Sequence, residues 1–258
     1  METFVVPLKP FLVFLVVLAR VGGLMTFAPF WSHRAASAQI RVVLTLVLAL
    51  ALTPAIMSVV AAPPGELLPL LVILLGEIII GCVIGIIGRI IFSGLELAAH
   101  FVGAQMGFSL AGTIDPSTQA QTAAFGTIAQ MLGLMVLLAA NGHHWFLAAT
   151  VRSFAITAPG DFVFSAQLLD VLVRLSANAL AVGVSLAAPA IIVLLIVEFA
   201  LEFFGRTAPQ FQMFILGFPI KIAVGLSVVG SSLYFLPNAL RDVLGNINHY
   251  LIQVLSRL

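Results

Sequence analysis

Charge is the scarcest feature of this chain. Only 8% of its 258 residues are Asp, Glu, Lys or Arg, against about 25% in an ordinary soluble domain, and that deficit excludes a soluble globular protein. Eleven Lys and Arg face ten Asp and Glu, a formal charge of +1. This is too sparse and too balanced for the clustered cations that track phosphates, so nucleic acid is excluded as a main partner. Cysteine is nearly missing as well: Cys82 lies alone inside an apolar run, which leaves neither a disulfide framework nor a set of thiolate metal ligands. No charged, Ser-rich or low-complexity stretch is long enough for a linker or tail. The chain therefore reads as a single membrane unit over residues 1–258.

What is present is apolar: 62% of residues are hydrophobic and the mean hydropathy is +1.20. The first run, about Pro10 to Trp31, exceeds a signal-peptide core and lacks a clear small-residue cleavage site, so it is expected to remain as a helix. Further runs of the ~20 residues that cross a hydrocarbon core fall near Ile40 to Val60, Leu67 to Phe92, Gly126 to Ala149, Leu175 to Phe204 and Phe211 to Leu236. The expected fold class is an all-α integral membrane protein of about six hydrophobic helices. Trp31 and Trp145 fit interfacial anchors, and Pro63-Pro64-Gly65 marks a turn. Pro189 and Pro219 lie inside apolar segments and are expected to bend or break their helices. Gly81/Gly85 and Gly103/Gly107 have the four-residue spacing that lets two helices approach closely. Arg34 and Arg41 against Arg241 and Arg257 leave orientation undecided for an even number of spans.

The charges within the apolar runs are Arg20, Glu77, Arg89, Glu198, Glu202 and Lys221. A charge at a helix centre costs about 2.5 to 3.5 kcal/mol on insertion scales, so these groups are expected to face protein or water and find partners. Glu198, Glu202 and Arg206 share a helix face at four-residue spacing, where the Glu202 to Arg206 order favours pairing and leaves Glu198 for another helix. Structural pairing within the bundle or between subunits is favoured over a proton relay, which needs more polar neighbours. The adjacent His143 and His144 point to different helix faces with no carboxylate nearby, so Asn141-Gly142-His143-His144-Trp145 reads as a turn and no metal site is expected. Serines such as Ser93, Ser109 and Ser227 have no nucleophile context. No enzyme is found.

Residues 103–126, GAQMGFSLAGTIDPSTQAQTAAFG, are rich in small and polar side chains, contain the turn starter Asp115-Pro116, and connect two strongly apolar runs. Irregular backbone at membrane depth is tolerated only where it is buried in protein or lines a pore. A pore-lining or pore-blocking loop and a surface connector both remain open, with Met106, Phe108, Leu110 and Ile114 available as an apolar seal. From Pro237 to Leu258 the pattern changes: Leu240, Val243, Leu244, Ile247, Leu251, Val254, Leu255 and Leu258 recur at helical three-four spacing, predicting an amphipathic helix for the membrane interface or a partner subunit.

Several of these pieces, in this order, resemble the FliR family of flagellar biosynthetic proteins, a subunit of the bacterial type III export gate. They are the spacing from Arg20 to Ala28-Pro29, Gly76-Glu77, Gly103-Ala104-Gln105-Met106-Gly107-Phe108 leading to Asp115-Pro116, Asn141-Gly142-His143-His144, Ser153-Phe154, Ala208-Pro209-Gln210 and Leu216-Gly217-Phe218-Pro219-Ile220-Lys221. The resemblance spans nearly the whole chain. It implies a channel in the bacterial inner membrane, at the flagellar basal body, built with FliP and FliQ and neighboured by FlhB and FlhA. Unfolded flagellar subunits would pass through it, and no cofactor is implied. It also implies that a loop after the third hydrophobic helix plugs the closed pore, at Gly107, Phe108, Ser109, Leu110, Ala111, Gly112, Thr113, Ile114, Asp115 and Pro116. Much of such an assembly is expected to sit above the bilayer, which accounts for the weak charge bias. Export proteins of injectisomes are similar, so that use stands as the alternative. The chain has no Gly-rich nucleotide loop ending in Lys-Ser/Thr, so it is expected to be a passive gate. A small-molecule or ion transporter using Glu77, Glu198 and Lys221 is a rival, but no paired, similarly interrupted segments suggest inverted repeats. An intramembrane enzyme using His143 and His144 is a third.

Overall fold

The computed structural model describes residues 8–29, 31, 37–61, 63–108, 119–139, 141–162, 166–207, 213–232 and 234, with backbone alone for 119–126, 129 and 213–216. Among the described residues all regular structure is helical: α1 Leu8–Phe27, α2 Ala38–Ile56, α3 Leu67–Gln105, α4 Gln119–Ala139, α5 Gly142–Ile156, α6 Ala166–Thr207 and α7 Met213–Ser232. The protein is thus an all-α membrane protein. Four helices, α1, α2, α3 and α6, are long and apolar enough to cross a membrane, and a fifth span results if the end of α4 and α5 are taken together. The predicted amphipathic helix at Pro237 to Leu258 lies outside the described residues.

Local chemistry explains the boundaries. Ser37 caps α2, its Oγ accepting the Ile40 N–H at 3.3 Å, which satisfies one of the donors a helix start leaves open. Pro63-Pro64-Gly65 separates α2 from α3 as expected. The run expected from Gly126 to Ala149 is two helices instead of one, because Asn141 takes a left-handed conformation (φ 56°, ψ 27°) that ends regular helix before α5. Asn is among the few side chains that tolerate that region. Pro189 and Pro219 do not break their helices: α6 and α7 run through them uninterrupted, and α2 likewise contains Pro54.

The described residues divide into two compact units, one falling within 1–90 and 141–175, the other within 91–140 and 176–234. In the first, α1 lies directly on α3. A Cβ on Gly23 would strike the backbone of Ile78 and Cys82, one on Gly81 the backbone of Arg20 and Leu24, and one on Gly85 the backbone of Leu24 and Ala28. Side chains would hold these helices apart, so glycine at these positions sets the crossing distance. Val13, Val16, Val17, Val21 and Leu24 of α1, Ile80, Ile84 and Ile87 of α3 and Phe146 of α5 are all buried in this unit. Trp31, expected at the interface, is buried instead, edge-on to Phe146 with ring centroids 6.3 Å apart. The quadrupole favours that T-shaped arrangement, and burial removes a large apolar surface from solvent.

In the second unit Ala98, Val102 and Met106 of α3 pack on Ala187, Ala190 and Leu194 of α6, with Val228 and Val229 of α7 against the same cluster. Gly94 and Gly183 face each other so closely that a Cβ on Gly183 would lie 2.6 Å from the Gly94 carbonyl oxygen. Outside both cores, α2 exposes Ile40, Val42, Val43, Leu46, Val47 and Leu50, and α6 exposes Ile192, Ile196, Phe199, Phe203 and Phe204. Apolar surface of this extent marks contact with lipid or other protein.

Candidate functional site

Polar side chains in these apolar helices gather at two junctions. The first is centred on Arg20 of α1, which is fully buried. Its Nε donates to Glu77 Oε2 at 2.5 Å and its Nη2 to Glu77 Oε1 at 2.9 Å, a two-point grip on α3. Its Nη1 donates to Ser153 Oγ at 2.7 Å and its Nη2 also to the Thr157 carbonyl at 3.2 Å. The guanidinium carbon sits 3.8 Å from the centroid of the Phe154 ring. The Ser153 hydroxyl in turn donates a hydrogen bond to the Thr150 carbonyl at 2.6 Å. Only arginine offers a planar fork that meets both carboxylate oxygens while its remaining donors reach a third segment. The junction thereby ties α1, α3 and the end of α5 together at zero net charge.

The second junction lies where α3 ends. Glu198 of α6 accepts the Lys221 ammonium of α7 on Oε1 and the Gln105 amide of α3 on Oε2, each at 2.8 Å. Nearby on the same unit Gln130 of α4 donates to Glu96 of α3 at 2.6 Å, and Gly133 of α4 leaves the space that Leu95 and Phe92 of α3 fill. Residues 96 and 92 thus meet 130 and 133 in reverse order, so α3 and α4 run antiparallel. The residues between them, 109–118, lie outside the described ones.

Of the residues singled out from sequence, Arg20 and Glu77 meet each other, and Glu198 and Lys221 do so. Arg89 is exposed on α3. Glu202 and Arg206 are exposed at the end of α6 and, among the described residues, the expected ion pair between them is not formed. Pro189 and Pro219 are exposed positions within intact helices. Gly107, with φ +93°, ends α3, and a Cβ there would collide with the Phe218 ring. Phe108 is half-buried against the cluster around Met106. Met106 is itself fully buried in that cluster. The rest of the expected plug, Ser109 to Pro116, falls outside the described residues. The segment expected to be irregular from 103 to 126 is shorter than that, since α3 continues to Gln105 and α4 starts at Gln119.

His143 and His144 open α5 directly after the Asn141 turn, the His144 N–H donating to the Asn141 carbonyl at 3.0 Å. Among the described residues no three His, Cys, Asp or Glu side chains are grouped to hold a metal ion. Sequence reasoning missed the roles of Gln105, Glu96, Gln130, Ser153 and Thr157. The available signal was the presence of Gln and Glu on otherwise apolar helices, where polar side chains hydrogen-bond across to neighbouring helices.

Comparison with known proteins places this arrangement. The chain is 33% identical over 217 residues to the flagellar biosynthetic protein FliR of Caulobacter vibrioides, covering 84% of this chain and 86% of that protein. It is 31% identical over 216 residues to FliR of Bacillus subtilis, 82% of each chain, and 26% identical over 246 residues to FliR of Escherichia coli, 93% of this chain and 92% of that one. The Yop proteins translocation protein T of Yersinia pestis is 30% identical over 157 residues, 60% of each chain. A family described as bacterial export proteins, family 1, matches residues 11–247, a stretch that takes in both polar junctions, and the chain belongs to that family.

Proposed function

We propose that the chain is a FliR-type subunit of the flagellar type III protein export gate in the bacterial inner membrane, assembling with FliP and FliQ into the channel through which unfolded flagellar subunits pass. The observation that carries this is the likeness to FliR proteins of three organisms over 82% or more of the chain. The fold supports it. The internal charges Arg20, Glu77, Glu198 and Lys221 are matched within the chain, whereas extended apolar faces on α2 and α6 are left open. A subunit embedded among other membrane subunits needs such faces, and a transporter that works alone needs a polar path instead. FlhB and FlhA are the further neighbours in this reading. The chain acts as a passive component with no catalytic step and no cofactor.

Within that gate, residues 107–118 form the plug of the closed pore. They leave α3 at a fixed glycine turn, and the helices on either side are held to each other by Gln130 and Glu96. Glu202 and Arg206, exposed at the end of α6, and Arg89, exposed on α3, lie where neighbouring subunits reach them and take part in assembly. The likeness to the Yop proteins translocation protein T favours a second reading, an injectisome export gate of the same construction.

Deleting the gene and restoring it tests the flagellar reading. Cells without it are expected to lose motility and to stop exporting flagellar subunits, and a tagged chain is expected to bring FliP and FliQ with it in mild detergent. Normal flagella in the deletion strain, with loss of injectisome secretion, would shift the assignment to the second reading. A tagged chain that purifies alone and moves a small solute in liposomes would sink both.

A further inference from the structure

The C-terminal end of α3 is held in the second unit by three contacts of different kinds. Ala98, Val102 and Met106 pack on Ala187, Ala190 and Leu194. Apolar contact is non-directional, so this face by itself does not fix the orientation of a polar side chain in the last turn. Gly107 fixes where the helix stops, since its positive φ and the Phe218 ring beside it leave no room for a side chain. Neither contact is directed at the Gln105 side chain. Glu198 supplies what they lack: two directed hydrogen bonds, one from each oxygen, to side chains on two other helices. Such bonds weaken steeply with angle and distance, and so specify position.

We propose that Glu198 is a positioning residue whose carboxylate, held by Lys221, fixes Gln105 and thereby sets where the chain leaves α3. Its partners lie within its own chain, which distinguishes this role from a contact between subunits. The inference rests on the export-gate reading only for its purpose, because the fixed end of α3 is where the segment read as the plug begins.

The chemistry of the three groups makes the role testable. An amide can turn and offer either an acceptor or donors, whereas an ammonium only donates. Glu198→Gln therefore still accepts from Lys221 and can donate to a turned Gln105, while Glu198→Leu holds neither. Exchanging the charges, Glu198→Lys with Lys221→Glu, restores the pair, and Gln105 turns to accept. Lys221→Met leaves the Gln105 contact and removes the directed bond from α7, whose apolar contacts through Phe218, Val228 and Val229 remain.

Spin labels on the exposed positions Ala104, Phe203 and Leu226, introduced as cysteines in the full chain with Cys82→Ser and co-purified with its partner subunits, report α3–α6 and α3–α7 distances. Glu198→Leu is expected to broaden both distance distributions several-fold, Glu198→Gln and the charge exchange to keep both narrow, and Lys221→Met to broaden only the α3–α7 distance. A Glu198 that merely adds stability would lower the melting temperature and leave the distances alone. Narrow, unshifted distributions in Glu198→Leu overturn the proposal. Should that variant fail to assemble, narrow, unshifted distributions in Gln105→Leu, which removes the same contact from the α3 side, overturn it equally. Ion leak on shortening residues 109–114 tests the plug reading separately, so either idea can fail without the other.

Discussion

Removing Glu77 alone should damage this protein more than removing Glu77 and Arg20 together. Arg20 and Glu77 are both fully buried, and the arginine makes two of its four hydrogen bonds to that carboxylate. Glu77→Leu leaves a guanidinium with the Ser153 hydroxyl, the Thr157 carbonyl and the Phe154 ring, none of which carries a negative charge. Breaking a buried pair from one side costs about 3 to 5 kcal/mol, whereas replacing both partners with apolar groups of similar volume is often close to neutral. In the double variant Arg20→Met with Glu77→Leu, Ser153 keeps its bond to the Thr150 carbonyl, and the Thr157 carbonyl is the acceptor left short. That leaves a deficit of about 1 to 3 kcal/mol. The double variant should therefore regain roughly 2 kcal/mol relative to Glu77→Leu, and since Arg20→Met also costs stability, the departure from additivity is larger still, well outside the about 0.5 kcal/mol scatter of independent sites.

The measurement is a double-mutant cycle of unfolding in mild detergent on the full chain purified with its partners, all four proteins at one concentration. The expected order of stability is wild type, then the double variant, then Arg20→Met, with Glu77→Leu lowest. Arg20→Met falls above Glu77→Leu because Glu77 has the option of protonation, which a guanidinium lacks. Equal losses in the single variants that simply add in the double would refute the reasoning, and would mean that the two groups do not share one junction. A Glu77→Leu protein as stable as wild type would refute it from the other side.

Other outcomes follow from the same geometry. Gly81→Val should prevent α1 from seating on α3, since any Cβ there meets the backbone of Arg20 and Leu24, and the complex yield should fall sharply while Gly230→Val, with nothing near it, leaves yield unchanged. Replacing His143 and His144 together with Asn should leave export intact in a secretion assay; lost export with normal assembly, restored by added metal in a partial mutant, would make them ligands. Replacing Phe108, Leu110 and Ile114 with Gly should let ions leak through an otherwise normally eluting complex, as read by membrane potential in cells; unchanged permeability would make residues 107–118 a connector.

How far the sequence alone carries is clearest where the physics is one-dimensional. Run length and the cost of charge in lipid depend on neighbours along the chain, so the helical class, the isolation of Cys82 and the need of Arg20, Glu77, Glu198 and Lys221 for partners were all legible. Which partner each would take was not. Arg20 and Glu77 are 57 residues apart and Glu198 and Lys221 are 23 apart, and nothing in the local pattern distinguishes these matches from the nearer Glu202 and Arg206, which lie exposed. Local spacing favours an i,i+4 pair, but in water-exposed positions such a pair is worth only about 0.3 to 0.5 kcal/mol, so burial and the third dimension decide. The same holds for Trp31: an indole at the end of an apolar run is compatible with an interface or a core, and only the position of Phe146, brought in by α5, selects the core. Glycines divide along this line too. Gly81 and Gly85 could be read as a close-packing pair because their spacing repeats on one helix, but Gly94 against Gly183 joins two helices far apart in sequence, and no periodicity within either helix announces the match.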